Sequence, residues 1–414
     1  MEELNLAIGD IIVGIDIGTS KVSTIVGEVN NFNQIEIICS TKCKCNAIQK
    51  GKIINEEELS IAIARTIKEA EDEANLKINS ANVLIPGKYV TIVQNSTVRE
   101  IRDKYAGVSS KDVGSSISQV KDIEIPDGKT LIGIVPEEFI LEDGKVVLDP
   151  VGSISSSFTL NAQILLADTD YVRQLKSIFR KANLEIDEMI PNTLAERNVV
   201  LDTNELKDNI LLLDIGAGNT DIGVFEGSKF IYTNTIPLGG DTITRDIALV
   251  LNISEEEADK LKRQYGLALK SLIDNDTDIV LNTYSGELRN RTIKSSELIE
   301  IIEARIEEIF ALVNKDITNQ GIKARINNVI LTGQGITNIN KSDVAGKIIL
   351  NIPVKISTGR LVSTIKPSFR SAYALVRYVA ARPYAKSVSS NIDMKSEENI
   401  FKNIIERIKE FFYT

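Results

Sequence analysis

One local pattern occurs twice in this chain and constrains its fold more than any other feature. Residues 11–29, IIVGIDIGTSKVSTIVGEV, and residues 209–237, NILLLDIGAGNTDIGVFEGSKFIYTNTIP, both run strand, Asp, glycine turn, strand. β-branched and other apolar residues flank each turn, as in buried strands. Two copies of one supersecondary unit, centred on Asp16 and Asp214, predict a duplicated α/β domain with a cleft between its halves. The length of 414 residues agrees, because it exceeds what one simple core organises.

The segments between the copies have distinct characters. Asn55 is placed to cap a helix over 55–76, with Leu59, Ile63, Ile67 and Ala70 at helical spacing. Residues 82–166 break into short β-like runs separated by Gly, Ser and Asp-Gly turns, which predicts a small α+β insertion. Helical periodicity returns at 170–184, dominates 240–314 and recurs at 368–382, while 326–335, INNVILTGQG, reads as a buried strand entering a glycine turn. A polar stretch, 383–396, then separates a last helix, 397–414.

The chemistry concentrates in the turns. In Asp16-Ile17-Gly18-Thr19-Ser20-Lys21, a strand delivers an acid to the mouth of the cleft. The turn amides and the Thr19 and Ser20 hydroxyls can donate to phosphate oxygens, and Lys21 adds positive charge. The alternative for this segment alone is a plain hairpin with a capping Asp. The second turn, Asp214, Gly216, Ala217, Gly218, Asn219 and Thr220, has the same layout. Two such turns in separate halves can grip a polyphosphate from both sides. Asp16 and Asp214 would then face each other, an arrangement suited to Mg²⁺ held largely through water. Gly333, Gln334 and Gly335 end the third strand with small residues, either to bare backbone for a flat purine or simply to turn the chain.

The set VGIDIGTSK, LLDIGAGNTDI and VILTGQG resembles the phosphate-1, phosphate-2 and adenosine motifs of the actin, Hsp70 and sugar-kinase superfamily. More narrowly the chain resembles the FtsA family. KGKIIN at 50–55, IPLGGDTITRDIA at 236–248 with Gly239 and Gly240, EADKLKRQYGLA at 257–268 and the terminal helix carry that likeness. The resemblance spans essentially the whole chain and is weakest across 82–166. It implies a two-lobed actin-like ATPase fold of the α/β class, with a small inserted α+β subdomain and a C-terminal amphipathic helix. The implied division is subdomain IA at 1–82, 167–198 and 358–382, and IC at 83–166. Subdomain IIA follows at 199–237 and 306–357, IIB at 238–305, the linker at 383–396 and the helix at 397–414. It further implies ATP and Mg²⁺ as ligands, self-assembly into filaments, capture of the FtsZ C-terminal peptide, and a seat on the inner face of the membrane at the division septum. By position, Asp259 and Lys262 would reach ribose and base, unless they are only a solvated helix face. Arg291, Lys294 and Arg305 fall where the FtsZ-binding surface would lie; a basic patch there suits an acidic peptide, though helix cations are usually just hydrated.

The sequence departs from that pattern in places. Gln334 interrupts the glycines of the adenosine motif, and Asn219 stands where Thr is common. Asn192 occupies the position from which relatives orient an attacking water with Glu or Gln, and Glu196 follows one turn later. An amide can hold a water but cannot take its proton at neutral pH. The expected enzyme is at most a weak ATPase.

Composition narrows the alternatives. The chain has no histidine, which excludes Ser-His-Asp and Cys-His nucleophile systems and HExxH metal sites. A net charge of −10 argues against nucleic acid as a partner. Cys39, Cys43 and Cys45 read as reduced thiols, because Met1 to Asp10 lacks the basic and apolar stretches of a secretory signal, and a metal set would need a fourth Cys or a His. In the last helix Ile400, Phe401, Ile404, Ile405, Ile408, Phe411 and Phe412 share one arc of roughly 140°. That predicts an interfacial anchor rather than a docked helix. From Lys386 onward five basic residues balance five acidic ones, so lipid binding would rest on apolar burial. A metabolite kinase, an Hsp70-like chaperone and an actin-like pilus or secretion adaptor are the competing readings.

Overall fold

The computed structural model describes residues 9–30, 34–103, 105–281, 291–357 and 365–381. The linker, the terminal helix with its seven apolar residues, and residues 358–364 of the implied third part of IA lie outside the described residues.

The duplication is visible in the sheets. In the first lobe the strand order is Glu185–Pro191, Ser80–Ile85, Ile11–Ile17, Lys21–Val29, Ile35–Lys44. In the second it is Val354–Ile356, Asn328–Thr332, Asn209–Ile215, Thr220–Glu226, Lys229–Ile236. Each sheet puts the motif strand at its centre, with an antiparallel hairpin on one side and parallel strands on the other. The registers correspond: Asp16 faces Ser23 and Asp214 faces Asp221. The central strands are buried on both faces, which is why they read as unbroken apolar runs. Their carboxyl ends, carrying the two aspartates, open on the crevice where such sheets bind ligands.

Helices Asn192–Val200 and Arg370–Ala381 join the lobes. Leu194, Val199, Leu375 and Val379 share one core with Ile12 and Ile25 of the first sheet and Leu212, Phe225 and Ile330 of the second. Helix Glu56–Ala74 covers the outer face of the first sheet and begins where expected: the Asn55 side chain accepts from the Glu58 amide at 3.1 Å. Cys39 and Cys45 are buried and Cys43 is half-buried, all three as free thiols.

The insertion is a four-stranded antiparallel sheet with helix Ser110–Val120 on one face and its own core around Phe139, Phe158 and Leu160. It also leans on the second lobe. The Lys88 amide donates to Thr235 Oγ1 at 3.3 Å, the Phe230 amide to Gln163 Oε1 at 3.3 Å, and Lys229 pairs with Glu137. Within 240–314 three helices, Gly240–Leu251, Glu255–Tyr265 and Ser295–Asn319, account for most of the described residues, and a short antiparallel pair, Asp278–Leu281 with Arg291–Lys294, was not announced by the periodicity. Among the described residues no helix is long and apolar enough to cross a membrane.

Candidate functional site

Both motif turns close in the same way: the Gly18 amide donates to the Lys21 carbonyl and the Gly216 amide to the Asn219 carbonyl, each at 2.9 Å. The turns meet across the cleft, where Gly218 packs so closely on Thr19 that an added Cβ would stand 2.6 Å from its methyl carbon. Beneath them lies a cavity of about 290 Å³ lined from both lobes, at the low end for small-ligand pockets.

Asp16, Gly18, Thr19, Ser20, Lys21, Asp214, Gly216, Ala217, Gly218 and Asn219 all line this cavity. So do Asn192, Gly240, Asp259, Lys262, Gly333, Gln334 and Gly335. Thr220 and Gly239 do not. Thr220 is buried and donates to the Leu238 carbonyl at 2.8 Å, and Gly239 is wedged under the second turn against the Gly216 and Ala217 carbonyls. They hold the turn in place.

Three glycine-bearing loops pack backbone to backbone on the second lobe. The Gly240 amide donates to the Gly216 carbonyl, Asp241 to Ala217, and Gly335 to Ile215. A Cβ on Gly335 would stand 2.7 Å from the Ile215 carbonyl oxygen and 2.9 Å from the Gly240 nitrogen, so only glycine fits. The bareness of TGQG therefore serves close approach within the chain as well as leaving backbone for a ligand. Gln334, between the glycines, is exposed to the cavity. On the facing helix Lys262 is buried, pairs with Asp259 at 2.9 Å and donates to the Gly240 carbonyl and Thr244 hydroxyl. That rules out a merely solvated face for Lys262.

The floor is acidic. Burial pushes the Asp16 carboxyl up to about 6, with nearby Asp214 adding to the rise and Lys21 opposing it. Burial likewise pushes Asp221 up to about 7, and raises Asp214 and Glu196. Asn192 bridges two of these groups, donating to Asp214 Oδ2 and Asp221 Oδ2 at 3.0 Å each. Its own amide oxygen is buried without a partner. Among the described residues no three Cys, His, Asp or Glu side chains converge as a metal cage. Asp16 and Asp214 are half-buried, and two hard oxygen donors lining one cavity suit Mg²⁺, which keeps its waters and shares phosphate oxygens.

Sequence reasoning gave no site role to three floor residues, although Asp221 closes the second turn motif. Asp221 is the hairpin partner of Asp214, so counting across the turn would have found it. Arg370 and Ser371 come from the distant interlobe helix, and no local signal marks them. The three cations expected at a partner surface sit in different settings. Lys294 pairs with Asp278 at 2.8 Å, Arg305 with Asp246 at 2.6 Å and with Glu308, and Arg291 stands exposed at the start of its strand. Asp278 and Asp246 come from neighbouring elements, which the local pattern alone hides, while Glu308 lies one turn along Arg305's own helix.

Residues 211–374 match the family model described as cell division protein FtsA, and residues 87–166 match the SHS2 domain inserted in FtsA. The chain belongs to the FtsA family. It is 28% identical over 397 residues to the cell division protein FtsA of Borreliella burgdorferi, covering 94% of this chain and 96% of that one. It is 27% identical to the FtsA of Pseudomonas aeruginosa, covering 97% of each. Solved structures confirm the actin-like fold. A PilM–PilN type IV pilus biogenesis complex aligns with TM-score 0.56 at 16% identity, covering 90% of this chain and 99% of that one. MreB5 of Spiroplasma citri bound to AMPPNP aligns at 0.51 and 14%, covering 96% and 98%. The MamK double helical filament aligns at 0.52 and 11%, covering 90% and 99%. The FtsA inserted domain coincides with the four-stranded sheet between Val90 and Asp168.

Proposed function

We propose that this FtsA-family chain binds ATP with Mg²⁺ in the interlobe cleft, assembles with copies of itself, and tethers FtsZ filaments to the cytoplasmic face of the membrane at the division septum. The observation that carries this reading is the pair of hairpin turns, one from each lobe, meeting over a cavity lined by the Asp16, Asp214, Asp221 and Glu196 carboxylates. The turn amides, Thr19, Ser20 and Lys21 would take the phosphates. Asp16 and Asp214 would hold Mg²⁺ through water, and Asp259, Lys262 and the Gly333–Gly335 loop would take the nucleoside. Bound Mg²⁺ would supply charge neutralisation along the phosphates. A relative in fold carries AMPPNP and another forms a filament, which supports nucleotide binding and self-assembly here. The boundaries in the sequence analysis serve as the subdomain assignment, with 83–166 as IC and 238–305 as IIB.

Hydrolysis is slow in this reading. The Asn192 amide donates both its N–H groups to carboxylates, so its oxygen can orient a water but nothing on that side chain takes the proton. ATP then acts as an assembly ligand, and the terminal helix, through Ile400, Phe401, Ile404, Ile405, Ile408, Phe411 and Phe412, lies in the lipid interface. FtsZ and other division proteins are the protein partners.

Co-sedimentation with lipid vesicles, with and without ATP–Mg²⁺, tests the reading on the full chain and on a chain ending at Arg382. Binding stimulated by ATP and lost on truncation is the expected result. If neither chain binds vesicles, the terminal helix is a docking element and the pilus-adaptor reading replaces the tether.

A further inference from the structure

Four basic side chains line the cavity among the described residues: Lys21, Lys262, Arg263 and Arg370. Three already bond the protein itself, although the Lys21 ammonium keeps further donors for the phosphates. Lys21 donates to the Ser368 carbonyl at 2.7 Å. Lys262 and Arg263 both pair with Asp259, at 2.9 and 2.7 Å. Arg370 is different. Among the described residues its one hydrogen bond runs from an Nη to the Thr332 hydroxyl at 2.6 Å. Its Nε–H is buried in the cleft wall with no acceptor. A guanidinium carries five donors in a rigid fork suited to phosphate oxygens, and a buried donor left without an acceptor is costly.

The placement of this fork is specific. Arg370 opens the interlobe helix directly after the turn Pro367–Phe369, and that turn is pinned to the first hairpin because Lys21 and Ser23 both donate to the Ser368 carbonyl. Its partner Thr332 ends the central parallel strand of the second lobe beside Asp214. The guanidinium thus sits where the two lobes join, under the phosphate turns. Its positive charge opposes the rise that burial imposes on the Asp214 and Glu196 carboxyls.

We propose that Arg370 is a specificity-determining residue that distinguishes a nucleoside triphosphate from a diphosphate by donating its uncommitted N–H groups to the terminal phosphoryl oxygens. This rests on the nucleotide reading of the cleft. The turns and the nucleoside contacts serve both ligands equally, whereas the guanidinium contact exists only when a third phosphate is present. Because Arg370 belongs to the helix that joins the lobes, the same contact ties triphosphate occupancy to their relative position.

The test is the ratio of affinities for ADP and for a non-hydrolysable ATP analogue, measured by calorimetry with Mg²⁺ on the full chain, Arg370→Gln and Arg370→Lys. We expect Arg370→Gln to weaken the triphosphate by about tenfold or more, as for loss of a charged hydrogen bond, while ADP changes little. Arg370→Lys keeps the charge but loses the fork and should fall between. Retained ADP binding shows that a variant is folded; if Gln at this position does not fold, the Lys variant carries the comparison. Equal loss for both nucleotides would make Arg370 only a counter-ion for the buried carboxylates and overturn the assignment. So would an unchanged ratio. An unaltered chain that binds neither nucleotide overturns the cleft reading itself, a separate failure.

Discussion

Asp187 sits at an irregularity in the strand Glu185–Pro191, where pairing with Ser80–Ile85 skips from Ile186 to Met189. Burial pushes its carboxyl up to about 6, and its Oδ2 has no hydrogen-bond partner. A folded-state pKa above the unfolded one favours the native state fully at low pH, and that contribution is lost as pH rises through about 6. Asp187→Asn should therefore raise unfolding stability by about 2 kcal/mol at pH 8 and by little at pH 4. Urea denaturation at the two pH values checks this, and an equal effect at both would show that the charge is not the cause. In the loop packed behind the second glycine turn, Gly335→Ala forces a Cβ against the Ile215 and Gly216 carbonyls. The loop must shift, so we expect loss of the thermal shift that a nucleotide analogue gives the unaltered chain. At this scale the sequence was informative wherever a residue type is chemically required at its own position, as at Asp16, Asp214 and Gly335. It was silent on Arg370, whose importance comes from what lies beside it.

The strands and helices that build the cleft were legible as elements because burial on both faces writes a continuous apolar run and a capped helix writes a periodic one. The hairpin Asp278–Leu281 with Arg291–Lys294 was not, since each strand has only four residues and Arg291–Lys294 buries Ile293 alone, too little for a strand pattern to stand out. Nor was the contact between the insertion and the second lobe. Gly87, at the root of the insertion, lies 2.9 Å (measured from a notional Cβ) from both the nitrogen and the oxygen of Asn234. Gly87→Ala should separate the two elements at a cost of about 1–3 kcal/mol, as overpacking does. Hydrogen exchange should then speed up in Lys229–Ile236 and Val90–Glu100 while the interlobe helices stay protected. Unchanged exchange in both strands would mean that the junction yields without separating.

In the proposed function, membrane attachment would belong to the whole assembly. A single terminal helix with balanced charge gains ~1.5–3 kcal/mol for each side chain it buries fully, less where insertion is partial, and the helix must also be ordered. One tether is then reversible, while a filament that presents many tethers gains by avidity. Vesicle binding should rise steeply with protein concentration in the presence of ATP–Mg²⁺ and follow a simple single-site curve without it. A non-assembling variant that bound as tightly as the filament would falsify this dependence.

The sequence by itself determined the duplication, the two glycine turns and the inserted segment, because each is a local pattern whose physics is complete within a few neighbouring residues; the family followed from the resemblance that those motifs carry. The tertiary structure alone decided that Lys294 and Arg305 are neutralised by acids from other elements and that Thr220 and Gly239 support the turn from behind. It also decided that Asn192 bridges two carboxylates and that Arg370 reaches the cleft floor. Those facts depend on distances between residues far apart in the chain, and such distances exist only once the two lobes have packed on their shared helices.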